Sequence, residues 1–154
     1  VKVLAQAAGA EGMVGGQAID IESEGKELTL DELRDLHSLK TGALIRASLA
    51  LGGIAANATD QQLAALDEFG QHIGLAFQVV DDILDVEGTT ESLGKTGGKD
   101  EASDKATYVK LMGLDGAKAE AQRLLDAALE ALSDFGDSAD DLRDLARYIV
   151  NRDH

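Results

Sequence analysis

Apolar residues recur at helical spacing along most of the chain, and the breaks in that pattern predict five helices. Positions three and four residues apart lie on one face of a helix, so a helix that packs on one side repeats its apolar residues at that interval. The predicted helices cover residues 1–19, 29–51, 59–87, 115–135 and 138–152. Residues 88–104 are polar, contain glycine and predict the longest irregular segment. We therefore expect an all-α protein.

Three of the predicted helices begin with a recognisable cap. A Ser or Thr side chain can accept a hydrogen bond from the backbone N–H three residues later. An acidic or amide side chain at that later position can accept a hydrogen bond from the backbone N–H of the Ser or Thr. The pairs with this spacing are Thr29 with Glu32, Thr59 with Gln62, and Ser138 with Asp141. At the other end of the second helix, Gly52-Gly53 is expected to stop the helix.

Four glycines interrupt the first predicted helix, at Gly9, Gly12, Gly15 and Gly16. Glycine in a helix interior costs about 1 kcal/mol relative to alanine. That cost suggests that another helix or a ligand approaches the backbone closely, and packing between helices is the more common of these two uses.

The third predicted helix carries an acidic stripe within an apolar segment, Phe77-Gln78-Val79-Val80-Asp81-Asp82-Ile83-Leu84-Asp85. The polar residues of the stripe lie three or four positions apart and share one face of the helix; they are Gln78, Asp81, Asp82 and Asp85. The adjacent apolar face is expected to consist of Ile73, Phe77, Val80 and Leu84.

Three carboxylates within about one helical turn repel one another, by roughly 0.2–0.5 kcal/mol for each solvated pair and by more where they are buried. A bound cation would turn this repulsion into attraction. Ligand sets made of oxygen alone favour Mg²⁺, Mn²⁺ or Ca²⁺ over zinc, and Mg²⁺ commonly binds through one or two carboxylates together with phosphate oxygens of a substrate. The stripe is either half of a site for a metal-bound phosphate or a solvated acidic face, and its spacing alone leaves both open.

Composition narrows the classes of partner. The chain has 154 residues, 44% of them hydrophobic, and no proline, which fits one helical domain with a real core. A formal net charge of −15 repels phosphate backbones, and three Phe, two Tyr and no Trp leave few platforms for base stacking. We therefore expect no nucleic-acid partner.

The same composition bears on location. No apolar run reaches the ~18–20 residues that a membrane-spanning helix needs, and no secretory signal is visible, so no membrane span is expected. The absence of cysteine excludes disulfides and thiolate chemistry and fits a cytoplasmic location.

Lysines supply the positive charge that an acidic chain would need in order to hold a phosphate. Lys95, Lys99 and Lys105 follow the acidic stripe, and Lys40 could reach it from the neighbouring predicted helix. Each of them alone is typical of a solvated surface charge. Together with the stripe, they favour a site for a metal-bound phosphate.

Five short motifs occur in order along the chain. They are Gly12-Met13-Val14-Gly15-Gly16-Gln17-Ala18-Ile19-Asp20, Lys40-Thr41-Gly42, the acidic segment from Phe77 to Asp85, Leu93-Gly94-Lys95-Thr96 and Lys105-Ala106-Thr107-Tyr108. As a set they resemble motifs of the short-chain trans-prenyl diphosphate synthases, most closely the bacterial farnesyl diphosphate synthases (geranyltranstransferases). In that family the corresponding motifs are the Gly-Gln-x-x-Asp helix, the Lys-Thr pair, the second aspartate-rich motif and the two lysine elements that follow it. The resemblance covers residues 1–154 as the carboxy-terminal half of such an enzyme.

The resemblance implies part of the all-α isoprenoid synthase bundle, in which an allylic diphosphate is bound through Mg²⁺, with Mn²⁺ as an alternative. It implies Asp81 as the chief metal ligand of this half, with Asp82 and Asp85 binding directly or through water. The residues implied to hold the allylic diphosphate are Lys40, Lys95 and Lys105. Thr41 and Gln78 are implied to lie where the carbocation is stabilised and the proton is lost.

Further implied members of the site are Gln17 and Asp20, which would line the same cavity. Lys99 falls at a variable position and receives no role. The implied reaction joins isopentenyl diphosphate to dimethylallyl or geranyl diphosphate, and gives farnesyl diphosphate or a similar short-chain product. The expected assembly is a homodimer.

The start of the chain looks internal to a longer protein, because residues 1–8 already have the character of an apolar helix and Val1 is not methionine. The first aspartate-rich motif and the element that grips isopentenyl diphosphate would lie upstream, so this chain alone is expected to hold half a site and to be inactive.

The alternatives to a prenyl synthase are a catalytically silent partner subunit, a terpene cyclase of the same fold, a Ca²⁺-binding module and a di-iron bundle. A catalytically silent partner subunit would keep the helices without needing the Asp, Lys and Gln set, and a terpene cyclase usually mixes Asn, Ser and Glu in its second metal motif. A Ca²⁺ module needs an EF-hand loop, and a di-iron bundle needs Glu-x-x-His pairs; neither pattern occurs here.

Overall fold

The computed structural model describes residues 1–92 and 106–152, and the side chains of residues 89–92 are outside that description. The described residues form helices and their connections, without a strand, so the predicted all-α fold is confirmed. The α-helices are α1 (Lys2–Ala8), α2 (Met13–Glu22), α3 (Leu30–His37), α4 (Ala43–Ala55), α5 (Asp60–Ser92), α6 (Tyr108–Ala131) and α7 (Asp140–Asn151). A π turn at Ser38–Gly42 joins α3 to α4, and a 3₁₀ turn at Asp137–Ala139 precedes α7.

The first predicted helix is wrong as a single element, because α1 ends at Gly9 and α2 begins after Gly12. Cβ atoms on Gly12 and Gly15 would overlap carbonyl groups of Ala7 and Ala10, so these two glycines serve the tight connection within this segment. Close approach by another element, as predicted, is confirmed at Gly16. A Cβ there would overlap the backbone nitrogen of Lys40 and lie 2.7 Å from the Lys40 Cα.

The second predicted helix begins as expected but contains an interruption. Thr29 and Glu32 form the predicted capping box: the Thr29 hydroxyl accepts from the Glu32 N–H at 3.3 Å, and the Glu32 carboxylate accepts from the Thr29 N–H at 2.8 Å. The π turn then separates α3 from α4. Gly52-Gly53 does not stop the helix, which continues to Ala55, and the chain turns at Asn57 with a φ of 56°.

The third predicted helix is confirmed as α5, which is 33 residues long and extends five residues beyond the predicted end. The predicted cap is present, because the Thr59 hydroxyl accepts from the Gln62 N–H at 3.2 Å and the Gln62 amide oxygen accepts from the Thr59 N–H at 2.9 Å. The predicted irregular segment is wrong over its first five residues, which are helical, and the rest of it lies outside the described residues.

The last two predicted helices need corrected starts. α6 begins at Tyr108 instead of Asp115, because the Thr107 hydroxyl accepts from the Lys110 N–H at 3.2 Å, and the helix passes a non-helical Gly113. α7 begins at Asp140 without the predicted Ser138 cap, because Ser138 lies inside the 3₁₀ turn.

The core lies where α5 packs against α6. Its buried side chains include Phe69, Ile73, Ala76, Val79, Val80 and Ile83 from α5, and Ala117, Ala121, Leu124, Leu125 and Ala128 from α6. α5 is therefore the central element, and one of its edges carries the acidic stripe.

Among the described residues, no helix combines the length and apolar character that crossing a membrane requires.

Candidate active site

The acidic stripe lies at the edge of the buried face of α5. Gln78, Asp81 and Asp82 are half-buried and Asp85 is exposed. The predicted apolar face is partly wrong: Ile73 and Val80 are buried, but Phe77 and Leu84 are only half-buried. Val79 and Ile83 are buried in addition, because α6 covers a face turned slightly away from the predicted one.

Asp82 faces the start of α6. Its Oδ2 accepts a hydrogen bond of 2.7 Å from the backbone N–H of Tyr108, the first residue of that helix. The pKa of Asp82 is raised to about 6, mainly by burial. The Tyr108 N–H and the positive charge of Lys110 act to lower this pKa, and the carboxylates of Asp85 and Asp81 act to raise it. Burial and the neighbouring carboxylates therefore outweigh the groups that stabilise the charged form of Asp82.

Asp81 forms an ion pair with Arg152, the residue that follows α7. The guanidinium of Arg152 donates to Asp81 Oδ1, and the same guanidinium lies 4.4 Å from the centre of the Phe77 ring. The Gln78 amide donates to Asp81 Oδ2 at 3.4 Å. A cation bound at Asp81 would share or compete for an oxygen that Arg152 already occupies.

The sequence pattern does not indicate Arg152, which is 71 positions away from Asp81. The only available signal is a basic residue at the end of a strongly amphipathic helix in an acidic chain. Its side chain is 14% exposed. Its Nε is buried and has no hydrogen-bond partner among the described residues.

Lys40 and Thr41 lie in the π turn, a rare backbone form that often occurs at functional sites. Two elements hold this turn through glycine contacts. Gly16 brings α2 against Lys40, as described above. A Cβ on Gly74 of α5 would lie 3.2 Å from the Cα of Gly42, so α5 touches the turn on its other side.

The π turn therefore lies at one end of the acidic stripe. Gln78 follows Gly74 by one helical turn on the same face of α5, and Asp81, Asp82 and Asp85 continue that face. The contact between Gly42 and Gly74 places the backbone of the turn that carries Lys40 and Thr41 beside α5, one helical turn before Gln78. The roles of Lys40 and Thr41 stay predictions.

Lys40 points its ammonium group at α2. Its Nζ donates to Asp20 Oδ2 at 2.6 Å, and both side chains are half-buried. The expected proximity of Asp20 to the Lys-Thr pair is therefore present. Gln17, on the same helix, is exposed. Lys95, Lys99 and Lys105 lie outside the described residues.

A second polar contact lies next to the π turn, at the residue that precedes it. His37, the last residue of α3, makes a hydrogen bond of 3.1 Å between its Nδ1 and the Tyr108 hydroxyl. The pKa of His37 is lowered to about 4, mainly by burial and also by the positive charge of Lys40, while the negative charge of Asp20 acts to raise it. Burial also raises the pKa of the Tyr108 hydroxyl. Both groups are therefore neutral near pH 7.

The His37 pKa gives a testable pH dependence. In an NMR titration of the histidine rings, we expect His37 to remain neutral until the pH falls to about 4. The unfolded chain takes up this proton near pH 6.5, so the contribution of His37 to stability decreases as the pH falls from about 6.5 to 4. The His37→Gln variant identifies the resonance, and a His37 pKa near 6.5 would contradict the buried environment.

The donor set fits a hard divalent cation, although it is incomplete by itself. The stripe offers carboxylate oxygens, which suit Mg²⁺ or Mn²⁺. Within residues 1–92 and 106–152, no group of three or more His, Cys, Asp or Glu side chains could hold a metal ion. Further ligands, such as phosphate oxygens or carboxylates from elsewhere, would have to complete the coordination.

The chain is similar to known proteins in sequence and in fold. The polyprenyl synthetase family profile matches residues 1–148. The chain is 46% identical over 156 aligned positions to farnesyl diphosphate synthase of Escherichia coli strain K12, which covers 99% of this chain and 52% of that protein.

Two solved structures are similar in fold and sequence. A putative farnesyl-diphosphate synthase from Marinomonas sp. MED121 superposes with a TM-score of 0.83 at 44% identity, over 97% of this chain and 51% of that one. A geranyltransferase from Helicobacter pylori, in complex with magnesium and isoprenyl diphosphate, superposes with a TM-score of 0.72 at 38% identity, over 97% of this chain and 48% of that one. The chain spans about half the length of the curated relatives it matches.

Proposed function

Because the chain belongs to the polyprenyl synthetase family, we propose that it forms the carboxy-terminal half of a short-chain trans-prenyl diphosphate synthase. The observation that carries the proposal is the position of the Lys40-Thr41 turn at the end of the aspartate stripe, in a chain that matches the family over residues 1–148. The remaining part of the enzyme would supply the other half of the site.

The proposed reaction is the condensation of isopentenyl diphosphate with dimethylallyl or geranyl diphosphate. The allylic C–O bond breaks and leaves an allylic cation and a diphosphate. The isopentenyl double bond then attacks the cation, and loss of a proton gives the elongated diphosphate, farnesyl diphosphate or a similar short-chain product. The critical requirement is stabilisation of the diphosphate that leaves.

Asp81, Asp82 and Asp85 would hold Mg²⁺, or Mn²⁺ in its place, which when bound neutralises the negative charge of the diphosphate. The Helicobacter pylori relative with magnesium and isoprenyl diphosphate supports this choice of metal. In a chain with a net charge of −15, a diphosphate could not approach three carboxylates without such a cation.

Lys40 would donate to the diphosphate from the end of the stripe. An ammonium group has three N–H donors, so Lys40 can keep its hydrogen bond to Asp20 while it donates to phosphate oxygens. Asp20 would then hold Lys40 in place, and Gln17 would lie nearby on α2. We propose the same diphosphate-binding role for Lys95 and Lys105.

Thr41 and Gln78 would act on the allylic cation and the departing proton. Their oxygen dipoles can stabilise positive charge that develops close to them. Gln78 donates to Asp81 at 3.4 Å, and the backbone on either side of Thr41, at Lys40 and Gly42, lies against Gly16 and Gly74. No covalent intermediate with the enzyme is needed.

The test is an assay of the complete synthase with labelled isopentenyl diphosphate and either allylic diphosphate. We expect an elongated short-chain product that requires Mg²⁺, and removal of the metal with EDTA is expected to abolish its formation. Restoration by added Mg²⁺ is the control. If the complete protein gives no elongated product with Mg²⁺ present, the proposed function is wrong.

Residues 1–154 alone are expected to bind Mg²⁺-diphosphate weakly and to show no turnover. The physical reason is that one aspartate stripe and one set of cations enclose a diphosphate on one side only. The measurement is the same assay on the separate chain, with calorimetric titration of inorganic pyrophosphate and Mg²⁺. Turnover by this chain alone would contradict the half-site hypothesis.

We also propose a homodimeric assembly in the cytoplasm. Exposed apolar side chains on α1 and α2 support a packing partner there, among them Leu4, Val14 and Ile21. That partner is either the other half of the enzyme or a second copy. Sedimentation of the complete synthase separates these two cases, since only the second gives twice the mass of one chain.

A further inference from the structure

One residue connects the two parts of the proposed site. Tyr108 is completely buried at the start of α6. Its backbone N–H binds Asp82 of the stripe at 2.7 Å, and its hydroxyl binds His37 at 3.1 Å. The main chain and the side chain of one residue therefore hold two different elements.

The contact to His37 leads directly to the π turn. His37 is the residue that precedes Ser38–Gly42, so Lys40 and Thr41 follow it by three and four positions. The ring of His37 also packs against the Tyr108 ring, with 5.5 Å between their centres and 40° between their planes. Movement of His37 would therefore be passed to the turn that carries Lys40 and Thr41.

The contact to Asp82 has a corresponding effect on the stripe. The first N–H groups of a helix have no partner within the helix, so the Tyr108 N–H is available to a carboxylate. It holds Oδ2 of Asp82 at the start of α6 and so limits the orientation of this carboxylate.

We propose that Tyr108 is a positioning residue, which sets the aspartate stripe and the Lys40-Thr41 turn at the separation that one diphosphate requires. The inference rests on the proposed function, because it needs a ligand that touches both parts. A simple packing role would require only the ring. The hydroxyl, with its half-buried partner His37, is the group that distinguishes the two roles.

The first test is Tyr108→Phe in the complete synthase, which removes the hydroxyl and keeps the ring and the backbone N–H. We expect kcat/KM for the allylic diphosphate to fall about tenfold, as for loss of a buried hydrogen bond. The affinity for Mg²⁺ with inorganic pyrophosphate is expected to fall by a similar factor, and the KM for isopentenyl diphosphate to stay within about twofold.

The chain offers a matched control in its other tyrosine. Tyr148 is 61% exposed on α7, so Tyr148→Phe removes the same hydroxyl from a solvated position. We expect this variant to match the wild type in both measurements. A fall of the same size in Tyr148→Phe would mean that the effect is not specific to Tyr108.

The second test uses the partner of the hydroxyl. His37→Asn keeps a polar atom near the position of Nδ1 and should retain most of the wild-type pyrophosphate affinity. His37→Leu removes the polar atom and should behave like Tyr108→Phe. The double variant Tyr108→Phe with His37→Leu should be no worse than either single variant, because all three lack one shared hydrogen bond.

The outcomes separate the two proposals. If the wild-type synthase neither elongates nor binds Mg²⁺-pyrophosphate, the proposed function fails and the inference fails with it. If the wild type does both and Tyr108→Phe matches it, only the positioning role is overturned. Equal losses for the allylic and isopentenyl substrates, or additive losses in the double variant, would also overturn it in favour of general structural damage.

Discussion

Replacement of Asp81 by alanine in the complete synthase is expected to lower kcat by about 10²–10³-fold. The reason is electrostatic: Asp81 would hold the cation that neutralises the departing diphosphate, and loss of such stabilisation acts directly on the transition state. Steady-state kinetics at saturating Mg²⁺ measures the effect. The residue is half-buried at the edge of the core, so circular dichroism should show an unchanged helical fold.

Two further variants sharpen this test. Asp81→Asn keeps an acceptor for Arg152 but loses the charge, so the same loss of kcat would assign the effect to the charge and not to the contact with Arg152. Asp126→Ala removes an exposed aspartate from the middle of α6 and should leave kcat unchanged. Activity of Asp81→Ala close to the wild-type level would show that the metal assignment is wrong.

Replacement of Gly16 by alanine is expected to damage both stability and activity. The added Cβ would meet the backbone of Leu39 and Lys40, and backbone atoms cannot turn away as a flexible side chain can. Overpacking of this kind costs about 1–3 kcal/mol. Because the contact lies on the π turn, the shift also moves Lys40, and we expect weaker binding of the allylic diphosphate.

Gly52→Ala provides the opposite control. Gly52 lies in α4, and a Cβ there would meet nothing within 4 Å. Alanine is the better helix former, so this variant should be more stable by about 0.5–1 kcal/mol. Urea unfolding measures the free energy of unfolding of both variants, which should decrease in Gly16→Ala and increase in Gly52→Ala. A Gly16→Ala variant as stable as the wild type would show that α2 does not need to contact the π turn.

The structure changes the interpretation of the stripe in one respect. The three aspartates were predicted to share one face, with Asp81 as the chief metal ligand and Asp82 and Asp85 binding directly or through water. In the fold, Asp81 is paired with Arg152 and Asp82 with the start of α6. Hydrogen bonds therefore connect the stripe to the end of α7 and to the start of α6. The metal-ligand roles of all three aspartates remain predictions, as do the diphosphate-binding roles of Lys95 and Lys105.

Local chemistry explains why much of the helical content could be predicted. A helix depends on the apolar period and on the capping residues within a few positions. For this reason the caps at Thr29 and Thr59, and the long helix that carries the stripe, are confirmed. Several errors fall where the backbone leaves the α-helical form, at Gly9 to Gly12, in the π turn and at Ser138, since these forms depend on what packs beside them. Others are helices that extend further than predicted, past Gly52-Gly53, past Glu87 and before Asp115.

The sequence by itself determined the fold class, the acidic stripe on one face of a long helix, and the motif order that identifies the family. All of these depend on neighbouring positions or on short patterns. Only the tertiary structure decided that Arg152 pairs with Asp81, that Lys40 binds Asp20, and that Tyr108 joins Asp82 to His37. The partners in these contacts lie 20 to 71 positions apart, and only the packing of the helices brings them within hydrogen-bonding distance.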